Sequence, residues 1–558
     1  MSVLRRELGT FSKRLPPNAI KSDTAHDLLQ GLGYISQTQS GLMHWLPMGV
    51  RVMRNVQDII RKRMVESGAF EMELSALSEK SVWLQTNRWG NKELFKLEDR
   101  KGKQYCLTPT CEEDFTTLIK QYVSSYKDFP LTVFQMTRKY RDELRPRGGL
   151  LRAREFVMKD AYSFHVSEED AIASFHKMNG VYELIFKDLR LPFVSADADS
   201  GDIGGDLSKE FHYIHRSGED VLYSCTNCEQ VSNVEKCSSM PLNNGQATGE
   251  VSVTYALNQD HDTLLCFYYP ADRAFNWRIA SEVMDNDIDM SLKNAGNEKV
   301  LEAFSSHNED PMFSRVVRVM DVRLNSRSNF PDFPLNQYLK NNFSQLNGHS
   351  IVDAEQGELC ENCGKGTLKA ANSIEVGHTF YLGKKYSEPL SATAILPSNE
   401  AKPLEMGCYG IGVTRLVAAI AEISRDEKGL CWPSCIAPYK VSLNYVEDSA
   451  EVQAVKNLLK YEAFIDNSPS ANLGHRLTLS QQLGIPLSLI IGKKHWPLVE
   501  IEVRGKRFSD TWLEKHTKYS SAYNWQYEIV QTKKGPLEKH LCFQEHLNEV
   551  IDILLSDM

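Results

Sequence analysis

The chain has 558 residues, 64 Lys plus Arg against 73 Asp plus Glu, and a formal charge of −9. That length exceeds what one hydrophobic core supports, so several domains are expected, and the mildly acidic balance excludes a protein that coats nucleic acid through net charge. No apolar run reaches the roughly 18 residues of a membrane span, and 12 cysteines scattered over so long a chain speak for a reducing compartment rather than a disulfide-knit secreted fold.

At the start, Leu4, Leu8, Phe11 and Leu15 recur at helical spacing, with Arg5, Arg6, Lys13 and Arg14 mostly off that stripe and Glu7 the only acid before Pro16-Pro17 ends the helix. This is the pattern of a short basic amphipathic transit segment, expected within residues 1–25; the alternative is an ordinary basic N-terminus. Val52, Val56, Ile59, Ile60 and Met64 form one apolar face at a 3.6-residue period, so residues 49–67 are expected to be an amphipathic helix ending near Gly68, with a strand over Ala69–Leu77 after it.

Residues 131–165 read as strand, basic loop, strand. Between Arg138 and Lys159 eight Lys or Arg stand against three Asp or Glu, a local patch that net charge conceals. Within Arg141-Asp142-Glu143-Leu144-Arg145-Pro146-Arg147-Gly148-Gly149-Leu150-Leu151-Arg152-Ala153-Arg154-Glu155-Phe156, Arg141 and Arg152 are expected to project from neighbouring strands onto one triphosphate. Glu143 can accept from an adenine amino group or hold an arginine, and Phe156 offers a face to the purine. A guanidinium gives phosphate two parallel charge-assisted hydrogen bonds and never deprotonates. Next comes a glycine-rich loop, Asp202–His212, running into a strand.

Cys225-Thr226-Asn227-Cys228 and Cys360-Glu361-Asn362-Cys363 have the knuckle spacing of a four-thiolate zinc site, with Gly364 after the second pair; four unligated thiols are the alternative. They bracket an interruption rich in Asn, Ser and Asp, residues 229–357, in which Leu264–Tyr269 is a strand candidate. Further on, Gly407-Cys408-Tyr409-Gly410-Ile411-Gly412-Val413-Thr414-Arg415 combines glycines that let a strand approach a ligand with an apolar run, Leu416–Ala421, expected as a buried helix opening with Arg415. That arginine would meet terminal phosphates. With the basic hairpin, it predicts a protein that binds ATP and activates a carboxylate. From Ala437-Pro438 onward, strand-like Val441–Val446 and Leu487–Ile491 alternate with helix-like Ala450–Leu459 and Arg476–Leu483, which predicts a small α/β domain with a mainly parallel sheet.

The hairpin and the glycine-rich strand resemble motifs 2 and 3 of the class II aminoacyl-tRNA synthetases. Four further words, Leu107-Thr108-Pro109-Thr110-Cys111-Glu112-Glu113, Met158-Lys159-Asp160-Ala161-Tyr162-Ser163-Phe164-His165, Ile374-Glu375-Val376-Gly377-His378-Thr379-Phe380 and Met406–Gly412, resemble the bacterial-type, mitochondrial-like prolyl-tRNA synthetases in particular. The likeness runs from about residue 28 to about 240 and again from about 358 onward. It implies an α/β (α+β) fold: an antiparallel-sheet catalytic core, an inserted region and a C-terminal α/β anticodon-binding domain. The implied boundaries are 26–228 and 358–436 for the core, 229–357 for the insertion and 437–558 for the anticodon-binding domain.

The same resemblance implies ligation of L-proline to tRNA(Pro), with ATP and Mg²⁺, by a homodimer in the mitochondrial matrix or a bacterial cytoplasm. Arg141 would meet the α-phosphate, Arg152 and Arg415 the outer phosphates, Glu375 a metal or the ribose, and Arg145 the acceptor end of tRNA. Proline is a secondary ammonium with two N–H donors, so its pocket wants a carboxylate beside a hydroxyl; Thr110 and Glu112 supply both, facing the same way on an extended segment. His378 and Cys408 are further lining residues by resemblance. The sequence departs from the family in two places. Ser75 stands where motif 1 of the dimer interface has its proline, and Asn276-Trp277-Arg278-Ile279 aligns where the deacylase insertion has a lysine, which implies loss of editing. Rival readings are a class II synthetase for threonine, serine or histidine, which the Thr110/Glu112 pair and the lack of a catalytic zinc triad disfavour, and an inactive tRNA-binding paralogue, which has no chemical need for Arg141, Glu143, Arg152, Phe156 and Arg415 together.

Overall fold

The computed structural model describes residues 11–21, 24–199, 207–242, 249–307, 314–324, 330–331, 333–335, 339–466, 468, 471–532 and 535–558. Leu4 and Leu8 of the basic N-terminal stretch, and residues 202–206 of the glycine-rich loop, lie outside these. The chain divides into two compact units, Met1–Phe193 with Gly204–Asp206 and Val376–Met558, and Val194–Ile203 with Leu207–Glu375.

The first unit is organised by the basic hairpin. Leu131–Tyr140 pairs with Glu155–His165 from Leu131 opposite Phe164 to Tyr140 opposite Glu155. Glu405–Ile411 adds antiparallel to the second strand with Cys408 opposite Tyr162, and the end of Leu368–Gly383 adds next with Phe380 opposite Cys408. Two helices, Glu168–Asp188 and Val413–Ser424, pack on these strands, and a third, Pro47–Glu66, packs on those two helices. Pro47–Glu66 buries Met48, Val52, Val56, Ile60 and Met64, one residue per turn, as its periodicity predicts. In Val413–Ser424 ten of the twelve residues are buried, Thr414, Glu422 and Ser424 among them.

The strand expected over Ala69–Leu77 is broken. Only Phe70–Glu71, parallel to Leu131–Tyr140, and Leu77–Glu79, in a separate three-stranded sheet, are strand. Between them side chains take the backbone donors that a ladder would use: Leu74 N donates to Gln135 Oε1 (3.0 Å) and Leu77 N to Ser75 Oγ (3.1 Å).

The C-terminal segment of this unit holds a six-stranded sheet in the order Ala463–Phe464, Val441–Tyr445, Leu487–Ile491, Leu498–Val503, Gly535–Phe543, Gln526–Thr532. It is mixed, not mainly parallel: the first two pairings are parallel and the last three antiparallel. The reason is connection length, because the six residues 492–497 can turn a chain back but cannot carry a crossover. Leu15 is already part of this unit, its backbone N–H and C=O both bonded to the Gln482 side chain (2.8 and 2.9 Å).

In the second unit Val251–Leu257, Thr263–Pro270, Arg315–Asp321 and Phe343–His349 form a four-stranded sheet, one antiparallel pairing followed by two parallel ones. Alternate residues of Thr263–Pro270 face two cores: Leu264, Cys266 and Tyr268 pack with Val300 and Phe304, and Leu265 and Phe267 with Ala280 and Ile351. Asn276 caps the helix Trp277–Val283 by accepting from Arg278 N and Ile279 N. The half-buried Glu358 carboxylate ties the region together by bridging Arg273 and Arg323 (2.8 to 3.0 Å).

Candidate active site

Thr110 and Glu112 are adjacent, but not on an extended segment. Glu112 opens the helix Glu112–Tyr122, and Thr110 lies in the turn before it. The turn folds Thr110 Oγ1 back to donate to Glu112 Oε1 at 2.9 Å. Cys408 Sγ points at the same oxygen from the neighbouring strand, 3.4 Å away. The Tyr162 hydroxyl fixes the turn, accepting from Cys111 N (2.9 Å), sharing a hydrogen bond with Thr110 Oγ1 (3.1 Å) and donating to Asp160 Oδ2 (3.1 Å). Behind it, Lys139 is buried against Asp160 at 3.1 Å. The result is a hydroxyl, a thiol and a carboxylate converging on one buried point.

Glu112 is wholly buried, and so is the side chain of Glu113. Arg88 joins them, with Nη1 3.2 Å from Glu112 Oε2 and 3.1 Å from Glu113 Oε1, and its guanidinium 5.1 Å from the Trp83 ring centre and 5.4 Å from that of Tyr386. Burial opposes the charge of Glu112, but Arg88, the helix N-terminus and Thr110 together hold its carboxyl below the ordinary range. Burial pushes Glu113 up to about 7 against the pull of Arg88, with the charge of Glu112 adding to the rise. Burial also brings Lys159 down to about 7, its Nζ donating to Tyr182 Oη (2.7 Å) and Tyr409 O (3.0 Å), and pushes the Cys408 thiol up. Sequence reasoning missed Arg88, Glu113 and Tyr162. The available signal was the Glu112-Glu113 tandem, since two carboxylates cannot share a buried site without a cation.

The hairpin residues form a second cluster beside the first, with Tyr140 N bonded to Thr108 O (3.1 Å). Arg141 and Arg152 do not sit on the strands. Arg141 follows the first strand, its guanidinium 5.3 Å from the Phe156 ring centre. Arg152 lies in the connecting loop, where Nε donates to Glu143 Oε2 (2.9 Å). Arg415, in the third position of its helix, donates to Leu151 O (2.9 Å). Thr414 Oγ1, accepting from Val157 N (2.7 Å), locks that helix to the hairpin. Arg145 is exposed at the loop. His378 stacks on Phe380 at 3.8 Å between ring centres. Glu375 is half-buried and belongs to the second unit.

The glycines of the motif 3 strand differ in what requires them. A Cβ at Gly407 would lie 2.2 Å from Tyr409 Oη and 2.7 Å from Ser163 Oγ, so its own neighbours exclude a side chain. At Gly410 a Cβ would meet only His378 O at 3.9 Å, and this is the position that leaves open space for a ligand.

In the second unit the four knuckle cysteines converge, their sulfurs all within 4.8 Å of one another. Cys225 and Cys363 are 3.6 Å apart and Cys228 and Cys360 3.9 Å. A tetrahedron with metal–sulfur bonds of about 2.3 Å has edges of about 3.8 Å, so the four thiols fit zinc. Asn227 N and Gly366 N donate to Cys225 and Cys363 (3.4 Å each), and a Cβ at Gly366 would lie 2.4 Å from Cys225 Sγ.

The family model for the tRNA synthetase class II core domain (G, H, P, S and T) matches residues 95–424. The chain is 52% identical to a probable mitochondrial proline–tRNA ligase of Saccharomyces cerevisiae over 98% of this chain and 97% of the relative. It is 31% identical to a proline–tRNA ligase of Magnetococcus marinus over 87% and 92%. The chain belongs to the proline–tRNA ligase family of class II synthetases. Its fold is also that of the prolyl-tRNA synthetase from Cryptosporidium parvum complexed with L-proline and AMP, at a TM-score of 0.57 and 13% identity, covering 96% of this chain and 76% of that one.

Replacing Glu112 by Gln keeps the shape of the pocket and removes its charge. The expected outcome is a proline KM raised about 100-fold with the ATP KM within about twofold, since losing one partner of a buried charge pair costs about 2–5 kcal/mol. Steady-state ATP–pyrophosphate exchange measures both, and an unchanged proline KM places Glu112 outside the pocket.

Proposed function

We propose that this protein activates L-proline with ATP and transfers the prolyl group to tRNA(Pro). The observation that carries the choice of amino acid is the buried Glu112 carboxylate with the Thr110 hydroxyl and the Cys408 thiol on it. A secondary ammonium offers two N–H donors, and this point offers a charged and a neutral oxygen to accept them. In the first step a proline carboxylate oxygen bonds to the α-phosphorus and the bond from that phosphorus to the pyrophosphate oxygen breaks.

Both reactants are anionic, so the protein supplies positive charge and alignment rather than acid–base catalysis. Arg141 serves the α-phosphate, Arg152 and Arg415 the outer phosphates, with Phe156 under the purine. Glu143, now holding Arg152, orients that guanidinium. Mg²⁺, when bound, would neutralise phosphate charge. Arg145, at the exposed loop, meets the tRNA acceptor end, and His378 lines the amino-acid side. The core comprises residues 26–228 and 358–436, and residues 437–558, with their six-stranded sheet, bind the anticodon. The insertion 229–357 is a deacylase relic without its lysine: Asn276 is occupied as a helix cap.

Homodimerisation is supported by the exposure of Val65, Phe70 and Leu77, 54%, 61% and 46%, around the motif 1 segment. A place in the mitochondrial matrix is supported by the basic amphipathic pattern of residues 4–15 and by the name of the yeast relative. Leu15 bonds to Gln482, so a targeting signal that is removed would end before it. Structural zinc on Cys225, Cys228, Cys360 and Cys363 is supported by their spacing and would pin together the two ends of the insertion.

Exchange assayed with each of the twenty amino acids should be supported by proline. The Arg141→Ala variant should lose about 3–4 kcal/mol of transition-state stabilisation, the size of an oxyanion-type contact. Exchange driven by threonine or serine but not by proline would refute the assignment. Metal analysis should give about one zinc per chain, with Cys228→Ser releasing it and lowering the thermal midpoint more than it lowers exchange. A metal-free protein indifferent to chelator would make the thiols unligated.

A further inference from the structure

Glu112 and Glu113 are consecutive, both buried, and within hydrogen-bond distance of a single guanidinium. Arg88 Nη1 contacts one Glu112 oxygen at 3.2 Å and both Glu113 oxygens at 3.1 and 3.2 Å. The remaining partners of the pair carry no positive charge: Thr86 Oγ1 donates to Glu113 Oε1 at 2.8 Å, and Thr110 and Cys408 face Glu112. Asp114, next on the same helix, is a third carboxyl there, which burial pushes up to about 6 against the pull of Ser78 and Lys139; burial also pushes Tyr386, Cys106, Tyr162 and Cys408 up, away from ionisation. Two carboxylates against one guanidinium leave the pocket short of one cation.

We propose that Glu113 is a specificity-determining residue for the amino acid substrate: by sharing Arg88 it leaves one negative charge uncompensated at Glu112, and the ammonium of the substrate supplies the missing cation. This rests on the reading of Glu112 as the ammonium acceptor. Without Glu113, Arg88 and Glu112 form a neutral pair, and an arriving ammonium becomes a surplus buried charge, the costly case. Burial pushes Glu113 up to about 7 despite Arg88, and the charge of Glu112 adds to the rise. An ammonium beside Glu112 lowers it again, so proline binding releases a proton and tightens as pH rises through 7.

The test is exchange kinetics at pH 8 for wild type, Glu113→Gln, the double variant Arg88→Met/Glu113→Gln, and Glu112→Gln. Glu113→Gln should raise the proline KM about 10-fold or more, one to two powers of ten for a charge pair of this kind, with the ATP KM within about twofold. Removing Arg88 as well removes the surplus cation, so the double variant should recover at least about fivefold of that loss. A purely structural Glu113 predicts the reverse, a double variant as poor as the single or poorer, and that result overturns the proposal. An unchanged proline KM in Glu113→Gln also overturns it. If Glu112→Gln leaves the proline KM unchanged, the underlying reading of Glu112 fails; if Glu112→Gln is impaired and Glu113→Gln is not, only the present proposal fails. Should the double variant not fold, the pH series decides. The wild-type proline KM falls between pH 6 and 8 and Glu113→Gln lacks that slope; a retained slope overturns the proposal.

Discussion

A carboxylate without solvent contact stays ionised only if cations and donors surround it, and Glu112 imposes that requirement on everything near it. Its helix begins at the residue itself, so the N-terminal backbone dipoles favour the charge. Arg88 supplies the cation and Thr110 the neutral donor. Register then takes over. Cys408 stands opposite Tyr162 across the ladder, which sets the thiol on one side of Glu112 while the tyrosine hydroxyl fixes the turn on the other. The placing of Cys408 and Tyr162 around Glu112 is thus a consequence of strand pairing.

The hairpin cluster is built differently. Arg141 and Arg152 lie beyond the strand ends at the hairpin mouth, and Arg152, 40% exposed, pairs with Glu143. A pair of that exposure contributes about 0–1 kcal/mol, far less than the buried contacts around Glu112. A buried carboxylate cluster thus stands beside partly exposed arginines. Thr414 joins the two, since its hydroxyl fastens the helix of Arg415 to the backbone of Val157.

Much of this was legible in the sequence, for reasons that differ by element. The apolar period of Pro47–Glu66, the two hairpin strands and the buried Leu416–Ala421 run are local signals, and each element formed where its pattern placed it. The two cysteine knuckles also declared themselves, because a two-residue gap between thiols is a local geometry. The failures are non-local. The break in Ala69–Leu77 depends on Gln135 reaching Leu74 across the sheet, and the antiparallel half of the C-terminal sheet depends on a short connection whose direction no period encodes. Arg88 was invisible for the same cause: it lies 24 residues before Glu112 with nothing in its own neighbourhood to mark it. Only the demand of two buried carboxylates for a cation reveals it. Thr110 and Glu112 were placed together for the wrong geometric reason, an extended segment, where a turn into a helix does the work.

The central claim is that a buried negative charge reads the ammonium of proline. The most direct measurement is calorimetric binding, at pH 8, of L-proline against tetrahydrofuran-2-carboxylate, in which ring oxygen replaces the N–H₂⁺ group and leaves size, ring and carboxylate in place. The account predicts at least about 100-fold weaker binding of the oxygen analogue, since it leaves Glu112 buried without its partner and sets two acceptors face to face. Affinities within about threefold of each other would contradict it, and would mean that the pocket selects a five-membered ring by shape alone.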